Sequence, residues 1–382
     1  NRYNKKFYLN YMKCQACNNK NKNFEIKNYR KLIKISSDER YSGKDCKIFI
    51  CKKCSLIQKI INKKYLKKLA IIYKKYQAFP IKNGQENIIN YKNKEFFRSD
   101  FLLKKINNHK KLISLDVLDF GCGSGFTLSR ISSLYSSNNL YGFDYNSKRI
   151  KDLNKIQNFK KLYSQKIQKI NKKFDIIILN HVFEHLVNPI LYLKKIKQLL
   201  KKNGLIILQM PNISKNFTDI FTFDHICYYN EDTLKNLLNK ISIFEYSFKV
   251  CIPKEITCFL KIKKNNKKKS NIIHKNKSIK IEEKFSKIDN FSKQILNLKT
   301  KKNYIFGTTV PAIWCSKVLG NNKFQNFVEE DSKKINKNLN YKKIISIRDI
   351  KKNYNLIIPY TKKLKVKITK KINKNKIISL DL

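Results

Sequence analysis

Val117-Leu118-Asp119-Phe120 runs directly into Gly121-Cys122-Gly123-Ser124-Gly125, and Phe126-Thr127-Leu128-Ser129-Arg130-Ile131 follows. A short apolar run ending in an acid reads as a buried parallel strand, and the residues from Phe126 read as the start of a helix. The three alternating glycines lack a Cβ, so the chain can turn sharply there and bring its backbone against a ligand at a helix N-terminus. Strand, glycine loop and helix together open an α/β nucleotide-type domain with a parallel sheet.

The spacing says which nucleotide. In the dinucleotide fingerprint G-x-G-x-x-G the third glycine packs helix on strand, but here Phe126 stands at that place, which counts against NAD. D-x-G-x-G-x-G after a strand instead resembles the first motif of class I S-adenosylmethionine (SAM)-dependent methyltransferases. Later segments agree in order. Leu140-Tyr141-Gly142-Phe143-Asp144 is a second strand ending in an acid, placed to accept both ribose hydroxyls. Phe174 to Asn180 is an FD-apolar-N strand, His181-Val182-Phe183-Glu184-His185 is an xxEH loop, Asn188-Pro189 opens a helix, and Gly204 to Asn212 is a strand ending in PN. The resemblance implies a Rossmann-like SAM domain over 112–260, with Asp119, Gly121, Gly123, Gly125 and Asp144 as its SAM-binding set. Asn180 and His181 would line the SAM and substrate side of the sheet, while Glu184 and His185 brace the loop. H-x-x-E-H is also a zinc-protease signature, but that requires a continuous helix, and here the motif directly follows a buried strand.

Two cysteine pairs mark the N-terminal part, Cys14-Gln15-Ala16-Cys17 and Cys51-Lys52-Lys53-Cys54. Each C-x2-C knuckle turns two thiolates toward one cation, and two knuckles complete a tetrahedral structural zinc site. Cys46 is a possible substitute, yet the paired geometry favours Cys14, Cys17, Cys51 and Cys54. The expected modules are a zinc-binding unit over 1–61, a helical lid or connector over 62–111 carrying Tyr73, Tyr76, Phe79, Phe96, Phe97 and Phe101, the SAM domain, and a C-terminal half-Rossmann unit over 281–382. The lysine and asparagine stretch of 261–280 reads as a solvated loop.

This arrangement resembles the sugar C-methyltransferase family, whose members methylate a carbon of nucleotide-linked keto-deoxysugars. Cys54-Ser55-Leu56-Ile57-Gln58 matches the apolar-Gln strand after the second knuckle, and Phe223-Asp224-His225-Ile226-Cys227-Tyr228-Tyr229 matches an acid-His pair with paired aromatics. The chain departs by having Asp224 for a glutamate, Thr222 or Phe223 for a tyrosine, and one glycine, Gly307, where a G-x-G-A turn is usual. The resemblance implies that His225 removes a proton α to a sugar ketone, since neutral imidazole works near pH 7. Asp224 either tunes His225 or caps a helix over Tyr229 to Leu238, and Tyr76 is the lid tyrosine. O- or N-methylation of another small molecule, which needs no enolising base, remains open, as does a non-catalytic zinc-ribbon protein that binds nucleic acid.

The net charge of +57 points toward nucleic acid or an anionic membrane, but only seven of the 84 basic residues are arginine. Nucleic-acid sites favour the bidentate arginine fork, and lysines scattered among Asn and Ile are what AT-rich codons produce. A small-molecule substrate is therefore expected rather than nucleic acid; the diffuse positive field favours phosphorylated ones. No apolar run approaches a membrane span, and Asn1 to Asn10 has no signal-peptide core, so a cytoplasmic protein is expected. Ten cysteines then read as reduced thiols and metal ligands. Position 1 is Asn rather than Met, as in a truncated or processed chain.

Overall fold

The computed structural model describes residues 13–20, 24–77, 86, 88–91, 94–263, 281–298, 302–351, 353–360, 362–370, 372 and 376–380. Phe79 and most of the lysine-asparagine stretch, from 264 to 280, lie outside the described residues.

The central sheet has seven strands: β1 (Asp116–Phe120), β2 (Asn139–Phe143), β3 (Phe159–Tyr163), β4 (Phe174–Asn180), β5 (Leu200–Pro211), β6 (Phe244–Lys249) and β7 (Glu255–Ile262). Their order is β3-β2-β1-β4-β5-β7-β6, parallel from β3 through β5 and antiparallel where β7 joins β5 and β6. This is the expected α/β Rossmann-like fold. The apolar runs of β1, β4 and β5 are continuous because both faces are buried. Leu118, Ile177, Leu179, Ile206 and Leu208 enter one core, and Val117, Ile176, Ile178, Leu205 and Ile207 enter the other. The strand order reverses beside β1, so the crevice beyond its carboxyl end is where an α/β sheet places a ligand.

The first of these cores also takes in the N-terminal and C-terminal parts. The N-terminal antiparallel sheet runs Phe24–Glu25, Ile48–Ile50, Ile57–Lys59 and then Cys227–Tyr228, a strand from far along the chain. The C-terminal unit is a six-stranded sheet, parallel except at its Asn338–Leu339 edge. Its buried Trp314 stacks on Phe221 with ring centres 4.3 Å apart. Helix Ile281–Leu296 packs into the same cluster through Phe285, Ile288 and Phe291.

Two local expectations need correction. The connector is not helical throughout: between helices Lys63–Lys74 and Arg98–His109 lies a hairpin, Ile88–Tyr91 with Lys94–Phe97. The helix expected at Tyr229 to Leu238 spans Glu231–Ile241, and Asn230, not Asp224, caps it by accepting from Thr233 N.

Candidate functional site

The loop after β1 brings the sequence-marked groups together. Gly121 and Gly123 have φ of 84° and 51°, left-handed values that disfavour other residues. A Cβ at Gly121 would strike the Val182 side chain, whereas one at Gly123 would stand in open space. Asp144, ending β2, accepts from Gly123 N at 2.9 Å and Asn146 N at 2.8 Å. Asp119 is buried; that burial, and then the charges of Asp144 and Glu86, push its carboxyl up to about 8. Glu86, which no motif marked, accepts from Ser99 N and from Asn180 Nδ2 at 3.3 Å. Asn180 Oδ1 is buried and has no hydrogen bond in the structure. An open cradle, an orphaned acceptor and three carboxylates suit a cationic ligand rich in donors, and SAM, with its sulfonium, ammonium and ribose hydroxyls, fits.

Beyond Asn180 the strand breaks off at His181, whose φ of 55° is left-handed. Its ring lies 3.3 Å from both Glu184 and Glu255, and Arg98 contacts both His181 and Glu255. Burial and Arg98 oppose a charge on His181, but the carboxylates prevail and lift it to about 9. Phe183–His185 forms a single 3-10 turn, so H-x-x-E-H does not lie on the continuous helix of a zinc protease.

Asp224 and His225 influence each other through charge, Asp224 raising the His225 imidazole and His225 lowering the Asp224 carboxyl, but their hydrogen bonds go elsewhere. His225 Nδ1 lies 3.0 Å from Asp219, which comes from the 3-10 turn Phe217–Phe221. Asp224 instead accepts from Ser37 N at 2.7 Å and Ser37 Oγ at 2.6 Å, and lies 3.4 Å from His185. Ser37 Oγ is also 3.1 Å from Tyr76 Oη, so Ser37 bridges Tyr76 and Asp224. Burial opposes charge on His225, but Asp219 outweighs it and holds the imidazole above its ordinary value. Burial and the neighbouring His225 hold His185 below its own.

His225 and Asp219 open on a cavity of about 430 Å³. His181 and Lys254 line it from the central domain, with Arg98 from the connector helix against that domain, Glu39 from the N-terminal part, and Thr309, Lys334 and Tyr360 from the C-terminal unit. Three parts of the chain thus share one cavity. Thr309 follows Gly307 in the segment compared with a G-x-G-A turn, whereas Glu39, Lys334 and Tyr360 carry no local motif.

The four cysteines of the two knuckles converge. Cys14 and Cys54 Sγ are 3.4 Å apart, Cys17 and Cys51 Sγ are 3.5 Å apart, and all four lie within 4.8 Å of one another. Four sulfurs about 2.3 Å from a tetrahedral zinc stand about 3.8 Å apart, so the set fits that ion. Cys46 stands apart, near Tyr29 Oη.

Residues 84–241 match the methyltransferase domain family. Over 163 residues the chain is 29% identical to the ubiquinone biosynthesis O-methyltransferase of Pelagibacter ubique (strain HTCC1062), covering 40% of this chain and 66% of that protein. Over 169 residues it is 28% identical to the protein of the same name from Rickettsia prowazekii (strain Madrid E), covering 41% and 62%. The match thus spans just under two thirds of each curated relative. Among solved structures, the plantazolicin methyltransferase BpumL is 17% identical, with 43% of this chain and 82% of that one covered at a TM-score of 0.38. The chain carries a class I SAM-dependent methyltransferase domain.

Proposed function

We propose that the protein transfers a methyl group from SAM to a carbon of a small carbonyl compound, a nucleotide-linked keto-deoxysugar, with His225 as the enolising base. The observation that carries this reading is the His225–Asp219 pair opening on a cavity that three parts of the chain enclose. Asp219 accepts from Nδ1–H, which leaves the Nε2 lone pair for an α-proton and stabilises the imidazolium once that proton is taken. The base strengthens as Asp219 holds its affinity for a proton up.

When bound, SAM supplies an electrophilic methyl, the S–CH3 electron pair returning to sulfur as the new C–CH3 bond forms. Asp119, Asp144, Glu86 and the loop of Gly121, Gly123 and Gly125 hold the cofactor, and Asn180 and His181 separate it from the substrate cavity. Lys254 offers that cavity a positive group for a nucleotide diphosphate, beside Arg98 and Lys334, which are matched by Glu255 and Glu329. Cys14, Cys17, Cys51 and Cys54 hold a structural zinc, whose module supplies Ser37 and Glu39. Tyr76 positions Asp224 through Ser37.

A second reading has an observation of its own. The curated relatives are named O-methyltransferases, and transfer to a hydroxyl needs no carbon acid. Incubation with SAM, nucleotide-linked 4-keto sugars and deuterated water separates the two. Carbon methylation brings α-proton exchange that His225→Ala abolishes, whereas O-methylation leaves the α-position undeuterated.

A further inference from the structure

The turn after β4 and the segment before strand Cys227–Tyr228 put three metal-ligating side chains face to face. One donor atom each from Glu184, His185 and His225 lies within 4.8 Å of the others. The Ile226 N–H donates to Glu184 O at 2.7 Å, tying the two segments together at this point. The rings of His185 and His225 stand edge to face with centres 4.6 Å apart.

The partners of the rings fix which nitrogens remain. His225 Nδ1 lies 3.0 Å from the Asp219 carboxylate, and His185 Nδ1 lies 3.1 Å from Asp224 O and 3.0 Å from Tyr73 Oη. In the neutral ring, a carboxylate or carbonyl acceptor at Nδ1 takes the proton there and leaves the lone pair on Nε2. A hydrogen-bond acceptor behind the far nitrogen is how proteins orient histidines that hold metals. Glu184 is 1% exposed, and neither carboxylate oxygen has a hydrogen bond, though His181 Nδ1 is 3.3 Å from Oε1 as an ion pair. His181 thus faces one carboxylate oxygen, and the other, Oε2, is buried with no hydrogen bond and can serve as a ligand.

We propose that Glu184, His185 and His225 form a second metal site, for a divalent ion of the zinc class, and that an ion there takes His225 out of service as a base. Two imidazoles and one carboxylate suit zinc, cobalt(II) or iron(II) rather than magnesium or calcium, which prefer all-oxygen sites. Such ligands stand about 2.0–2.2 Å from the ion and about 3.4 Å from one another in a tetrahedron, so side-chain rotations of about an ångström close the triangle. Of the three ligands, His225 lines the cavity. One lone pair on Nε2 serves either the ion or the substrate proton, so occupancy and proton abstraction exclude each other. That exclusion rests on His225 being the base; the site itself rests on the three donors alone.

The probe is Co2+, added to protein whose four-thiolate site is already filled with zinc. The expected result is one further equivalent bound, with visible ligand-field absorption and no thiolate charge-transfer band. Affinity should fall at least tenfold in Glu184→Gln and in His185→Gln, and about 10–100-fold in Tyr73→Phe, which keeps all three ligands but removes a hydrogen-bond partner of one. Retained SAM binding in each variant shows that it is folded. No further uptake, or equal affinity in wild type and all three variants, overturns the site. In the keto-sugar assay, loss of α-proton exchange in step with cobalt occupancy supports the exclusion, and unchanged exchange in cobalt-loaded protein overturns it. Protein that takes up cobalt as described but methylates no keto sugar contradicts the proposed reaction and leaves the site standing.

Discussion

SAM binding should release a proton from Asp119. In the free protein, burial and the charges of Asp144 and Glu86 hold this carboxyl up to about 8, far above its ordinary 3.8. It is therefore about 90% protonated at pH 7. SAM carries a net positive charge, which placed among these carboxylates favours the ionised form and pulls the pKa below neutrality. With the bound-state pKa near 6, binding at pH 7 then expels about 0.8 proton. The sign follows from linkage: the ligand prefers the deprotonated protein, so affinity rises with pH, about tenfold per unit from roughly pH 6, and levels off above the free-state value near 8. Titration calorimetry in buffers of different ionisation enthalpy measures the proton count directly. SAM's own α-amino group titrates near 7.7–8.0 and contributes in the opposite sense, so the decisive quantity is the difference between wild type and Asp119→Asn, which keeps the shape and loses the titration. Equal proton release in the two proteins would refute the reasoning.

Gly123→Val should fold yet lose SAM binding in calorimetry, because its side chain would occupy the open space against the loop at a φ that branched residues avoid. His225→Ala should keep SAM affinity and lose about 10²–10⁴ in rate, with α-proton exchange lost in parallel. Metal analysis should find zinc held by Cys14, Cys17, Cys51 and Cys54, and Cys51→Ser should release it; because strand Cys227–Tyr228 completes the N-terminal sheet, turnover should fall while SAM still binds. Trp314→Ala should cost about 3–5 kcal/mol in chemical denaturation, since the ring is buried against Phe221, two residues from Asp219.

Local chemistry was legible in the sequence. The glycine loop, the acid ending β2, the Asn-Pro helix start and the cysteine knuckles are each set within a few residues by backbone conformation or ligand geometry. What escaped is long-range. Ser37 holds Asp224 from 187 residues away, and Arg98 reaches Glu255 across 157 residues. No periodicity encodes such meetings. Asp219 lies only six residues before His225, but a single acid in an apolar turn carries no signal until the fold shows what it faces. The Ile88–Phe97 hairpin was misread for a related reason: its lysines and aromatics fit a helical face as well as a strand, and pairing decided between them. That Asp224 is held by Ser37 rather than bonded to its neighbour His225 was likewise hidden, because Ser37 lies in a distant part of the chain.

The most direct test of the account is the structure of the product. Purified protein, SAM and a panel of nucleotide-linked 4-keto sugars are incubated in deuterated water, and the product is read by mass spectrometry and NMR. The account predicts one added methyl on carbon next to the ketone, with deuterium exchange at that carbon in the unreacted pool. A methyl on oxygen or nitrogen, or turnover that His225→Ala leaves unchanged, would contradict it.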